Sequence, residues 1–111
     1  MMKIDVQSMK RVELITVSGR IDSSNAGDFD DKLKELIEQG EYQLVLNLSG
    51  VEYTSSAGLR ALVSALRECK KHNGDLRLSA PSDRVKEVLD LAGLTTLFEI
   101  YDDDVTAVGS F

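Results

Sequence analysis

The sequence is short of several residue types, and each shortage closes off a class of function. It has one cysteine, Cys69, and one histidine, His72. No disulfide can form within the chain, and a zinc site needs more Cys and His ligands than these two. Tryptophan is absent and aromatics make up only 5%, which argues against a base-stacking platform or an aromatic ligand cage. Lys and Arg number 13 against 19 Asp and Glu, a formal net charge of −6. Nonspecific binding to nucleic acid or to anionic membranes needs clustered cations, so neither partner is expected. No apolar run reaches the length of a membrane span. Met1-Met2-Lys3-Ile4-Asp5 lacks the apolar core of a signal peptide, so the expected compartment is the cytoplasm. The single proline, Pro81, marks a local boundary. With no repeat, low-complexity tract or Pro/Gly-rich linker, the 111 residues are expected to form one domain over 1–111.

What is present is an alternation of strand and helix patterns. Ile4-Asp5-Val6 reads as a short edge strand and Val12 to Val17 as a second, with Val12, Leu14 and Thr16 on one face. A polar turn between them predicts a hairpin. Asp22-Ser23-Ser24-Asn25 is rich in N-cap residues. Phe29, Leu33, Leu36 and Ile37 follow with helical spacing, and Gly40 ends that run. Leu44 to Leu48 scarcely alternates, which suits a strand covered on both faces. Leu59, Leu62, Val63, Leu66 and Cys69 form the next helical stripe, ending at Asn73-Gly74. Leu76-Arg77-Leu78 reads as a strand. Pro81-Ser82 opens a helix with Val85, Val88, Leu89 and Ala92 inward, closed by Gly93. Leu97 to Tyr101 reads as a last strand, and Asp102-Asp103-Asp104 as the start of a short final helix. The order predicts an α/β fold, a mixed sheet of four or five strands carrying three or four helices.

The richest stretch is Val51-Glu52-Tyr53-Thr54-Ser55-Ser56-Ala57-Gly58-Leu59. Three hydroxyl residues sit where a strand hands over to a helix, beside backbone N–H groups that the helix leaves unpaired. Ser56 reads as the N-cap or its neighbour. Gly58 costs helix stability in the first turn, and Ala57 with Gly58 leaves that end bare enough for a partner's backbone to approach. Arg60, one turn on, is placed to pair with a phosphate at Ser56. Catalysis fits poorly. His72 lies 16 residues along the same helix, roughly 24 Å away at ~1.5 Å per residue, and no Gly-rich phosphate loop with a lysine is present. Asp28, Asp30 and Asp31, like Asp102 to Asp104, read as helix-start charge and a solvated tail, not as a cation site. No catalytic residue, metal or cofactor is expected.

Tyr53-Thr54-Ser55-Ser56-Ala57-Gly58-Leu59, following Leu46-Asn47-Leu48-Ser49-Gly50-Val51, resembles the signature of STAS domains, and more narrowly that of bacterial anti-sigma-factor antagonists. Gly19-Arg20-Ile21-Asp22 and Leu91-Ala92-Gly93-Leu94 resemble two further elements of that family, so the likeness covers essentially the whole chain. The resemblance implies a non-enzymatic binding module. Ser56 falls on the serine that a serine-kinase anti-sigma factor phosphorylates. The unphosphorylated form binds that kinase and releases the sigma factor, phosphorylation blocks binding, and a serine phosphatase restores it. Asp22 falls near the partner-binding surface. With Ser23, Thr54, Ser55, Ser56, Ala57, Gly58 and Arg60 it makes up the expected docking set. The sequence departs from the family at Ser55, where an aspartate is common. Two other readings stay open: a STAS phospho-switch in a pathway without a sigma factor, and a small enzyme or nucleotide-binding domain using the helix N-terminus at Ser56.

Overall fold

A computed structural model describes residues 2–111. Strand β1 (Met2–Met9) pairs antiparallel with β2 (Val12–Ile21) through a two-residue turn. Helix α1 (Ala26–Glu38) leads to β3 (Gln43–Thr54), α2 (Ser56–Lys71) to β4 (Asp75–Ser79), and α3 (Asp83–Leu91) to β5 (Ile100–Tyr101). Helix α4 (Asp104–Gly109) follows. The strands form one sheet in the order β1-β2-β3-β4-β5, and every pairing after the first is parallel. The expected mixed sheet with an N-terminal hairpin is therefore present.

Strand alternation sorts the core into two layers. Ile15, Val17, Leu44, Leu46, Leu48, Leu76 and Leu78 point to one face and pack against Phe29, Leu33, Leu62, Leu66, Cys69 and Leu89 of α1, α2 and α3. Val12, Leu14 and Val45 point the other way, against Ala107 of α4, with Val108 and Phe111 beside them. The unalternating Leu44–Leu48 run is thus covered on both sides, the second cover being α4.

Several elements differ from the sequence expectations. β2 and β3 run on to Ile21 and Thr54 because they stay paired through register shifts near Ser18 and Gly19. Gly19 adopts φ 94 there, a backbone state open to glycine. The last strand keeps only Ile100 and Tyr101. Leu97 closes a 3-10 turn, its N–H bonded to the Leu94 carbonyl at 3.0 Å, and its side chain is exposed. Ala92 is exposed rather than inward.

One polar cluster ties α4 to the sheet. The Asp104 carboxylate accepts from Asn47 Nδ2 at 2.9 Å and from Ser79 Oγ at 2.5 Å, and Ser79 is fully buried. Asp104→Ala leaves that buried hydroxyl without its acceptor and is expected to cost about 1–3 kcal/mol. Urea denaturation reads this directly. Asp104→Asn, which keeps an acceptor oxygen, should cost less, and equal losses would contradict the hydrogen-bond account.

Candidate functional site

The hydroxyl cluster lies where β3 ends and α2 begins, beside the C-terminal end of β2. Ser55 N–H donates to the Ile21 carbonyl at 2.7 Å, which pins the strand-to-helix turn to its neighbour. Ser55 is extended (ψ 170) and is the N-cap. Its Oγ accepts from Gly58 N at 3.3 Å, and its carbonyl accepts from Leu59 N at 3.1 Å. Capping therefore falls to Ser55, and Ser56 becomes the first residue of the helix, exposed. The amides of Ser56 and Ala57 precede the first intrahelical bond and face outward from a positive helix end.

Gly58 works inward. A Cβ at this position would lie 2.4 Å from Thr54 Oγ1 and 2.8 Å from Ile21 Cγ2. The bareness expected to admit a partner's backbone instead admits the end of β2 and the Thr54 side chain. Thr54 is itself only 6% exposed, and its hydroxyl donates to the Ser55 carbonyl at 3.3 Å. Of the eight residues in the docking set, Thr54 and Gly58 are buried. Ser23, Ser56 and Arg60 are exposed, and Asp22, Ser55 and Ala57 are half-buried.

The second cluster stands next to the first. Asp22 Oδ1 accepts from Ser24 N at 2.9 Å and from Ser24 Oγ at 2.5 Å. The Ser24 hydroxyl, then its amide, hold the Asp22 carboxyl below its ordinary range. Asn25 stitches the loop to β2: its Oδ1 accepts from Asp22 N and its Nδ2 donates to the Arg20 carbonyl. Asn25 occupies the N-cap position of α1 without a side-chain cap bond, so the expected cap is spent on the turn.

Ser56 and Arg60 border an open groove of about 640 Å³ between α2 and the end of α3, lined also by Val63, Arg67, Lys71 and Leu94. Sequence reasoning did not single out Arg67 and Lys71. The available signal was their spacing from Arg60, i+7 and i+11, which keeps all three on one helical face. The Ile21–Ser55 link was also missed, since nothing in a linear pattern joins residues 34 apart.

The groups needed for catalysis are elsewhere. His72 caps the far end of α2 and stacks on Tyr42, ring centroids 4.1 Å apart. Cys69 is buried, and desolvation pushes its thiol up to about 12. Among the described residues no group of three or more His, Cys, Asp or Glu is placed to hold a metal ion, and no helix is long and apolar enough to cross a membrane.

Comparison with known proteins agrees with this architecture. The chain belongs to the STAS domain family, which it matches over residues 3–107. It is 32% identical over 97 residues to the anti-sigma-B factor antagonist of Bacillus subtilis, covering 87% of this chain and 88% of that one. An anti-sigma factor antagonist from Mycobacterium paratuberculosis superposes with a TM-score of 0.89 at 24% identity, over 99% of this chain and 93% of that one. SpoIIAA in its unphosphorylated form gives 0.84 at 20% identity, over 96% and 93%. The phosphorylated form of the Bacillus protein gives 0.78 at 19%, over 97% and 98%. These structures share the fold.

Proposed function

We propose that this chain is an anti-sigma-factor antagonist, a cytoplasmic binding module without catalysis of its own, whose Ser56 hydroxyl is the phosphate acceptor. The observation that carries the reading is the division of labour at the helix start. Ser55 takes the capping bond, so Ser56 presents an exposed hydroxyl committed to no structural role. Membership of the STAS family and the relationship to an anti-sigma-B factor antagonist support the same reading.

A serine-kinase anti-sigma factor would bind across Ser56, Arg60, Asp22 and Ser23 and displace its sigma factor. Its ATP γ-phosphoryl would pass to Ser56 Oγ. The new O–P bond forms as the bond to ADP breaks, and the hydroxyl proton leaves to a base on the kinase. A serine phosphatase would hydrolyse the Ser56 phosphoester with water, restoring the hydroxyl and releasing inorganic phosphate.

Incubation with a serine-kinase anti-sigma factor and ATP tests the assignment. Ser56→Ala is expected to accept no phosphate. Ser55→Ala should still accept it, while losing about 1 kcal/mol of stability with its cap. Phosphate on Ser55 or Thr54 in the wild type would refute the choice of Ser56. Phosphate on no residue would refute the switch.

A further inference from the structure

The sheet ends on two unequal strands. β5 has two residues, too short a template for another chain. β1 has eight, pairs with β2 along one side, and forms the opposite end of the sheet. Its outer side is a row of backbone donors and acceptors facing solvent. Met2, Ile4 and Val6 stand opposite Gly19, Val17 and Ile15, on the face that carries α1–α3. Met2 and Ile4 pack at the margin of the main core, and Val6 is 36% exposed. Lys3 and Asp5 project from the other face, Nζ to Oδ2 3.9 Å apart, with side chains 75% and 68% exposed.

We propose that β1 pairs antiparallel with β1 of a second copy of this chain, Ile4 opposite Ile4, so that two sheets continue as one. In this register Lys3 of each copy faces Asp5 of the other. Met2 faces Val6 on the opposite side, making an apolar ladder with Ile4 at its centre. The alternatives are worse. Centring on Lys3 sets Lys3 against Lys3, and centring on Asp5 sets Asp5 against Asp5. Like charges directly opposite one another oppose pairing. Registers that match even with odd positions set Ile4 against a polar residue, Lys3, Asp5 or Gln7. A lysine on a free edge ordinarily guards it against association. Asp5, two positions on, turns that guard into one half of a self-complementary pair.

The register pairs only residues 2–6 of each copy, a contact without a second packed layer of its own, so the dimer is weak and reversible. β2 separates β1 from β3, beyond whose C-terminal end α2 begins at Ser56. Pairing therefore leaves the phosphate acceptor open on both copies, and this inference stands apart from the proposed switch.

Sedimentation equilibrium from micromolar to millimolar protein tests it. The wild type is expected to show a monomer–dimer equilibrium. Lys3→Asp and Asp5→Lys should each weaken it roughly tenfold or more by placing like charges opposite. The double exchange Lys3→Asp with Asp5→Lys should restore it. Both side chains are exposed, and circular dichroism checks that each variant keeps the fold. A wild type monomeric throughout, a dimer indifferent to the single changes, or a double exchange that fails to recover would each overturn the proposal.

Discussion

Gly58→Ala is expected to destabilise the domain by about 1–2 kcal/mol net, although alanine is the better helix former. Helix propensity alone favours the substitution by roughly 0.5–1 kcal/mol. The added methyl must nevertheless fit 2.4 Å from Thr54 Oγ1 and 2.8 Å from Ile21 Cγ2, and overpacking of this kind costs about 1–3 kcal/mol, occasionally more. Neither neighbour yields easily. Thr54 is buried at the end of β3, and Ile21 is 2% exposed at the end of β2. Relief requires α2 to move off the sheet end, which pulls on the Ser55–Ile21 bond and shifts Ser56 with it. Urea denaturation should therefore show the loss, and the rate of phosphate transfer should fall with it. A Gly58→Ala protein as stable as the wild type would mean that the packing described for this turn is wrong.

Phosphate at Ser56 is expected to weaken binding of the anti-sigma factor by about a hundredfold or more while leaving the fold nearly untouched. The two halves have different causes. Inside the domain, a group carrying roughly −1.5 to −2 charges meets the free amides of Ser56 and Ala57 at a positive helix end, with Arg60 one turn on, so it is tolerated. At the proposed docking surface the same group would add bulk and charge where the partner is expected to lie flush. A mismatched charge at an interface costs several kcal/mol, and about 1.4 kcal/mol is tenfold in affinity. Calorimetry of the two forms reads the affinity. Backbone amide NMR reads the structure, with shifts expected near residues 22–25, 54–60 and the groove facing Arg60. Shifts spread across the whole sheet would defeat the local-interface account, as would equal affinities.

How much of this was legible depended on how local the cause was. Helical stripes such as Phe29-Leu33-Leu36-Ile37 and the capped start at Ser82 follow from neighbours within a few residues, and both formed as expected. The strand ends did not. β3 continues through polar Ser49 and Gly50 because β2 lies alongside with a matching irregularity at Gly19, a pairing across about thirty residues. The candidate site divides in the same way. Hydroxyls at a strand-to-helix turn were visible in the pattern. Which serine caps was not, because the turn is fixed by the Ile21 carbonyl. Gly58 shows the ambiguity most plainly: an absent side chain signals close approach, but a sequence does not say whether the approach comes from within the molecule or from a partner.

The strand order β1-β2-β3-β4-β5 places each strand beside the one made just before it. During synthesis the sheet can then grow outward from the hairpin, each new strand adding to an edge already formed, while α1, α2 and α3 close one face in turn. The other face waits. Val12, Leu14 and Val45 have Met9 beside them from the start, but Tyr101, Ala107, Val108 and Phe111 complete their apolar cover only when the last of these residues has been made. Until then that face is apolar surface open to contact with other chains, the general hazard of a partly made domain.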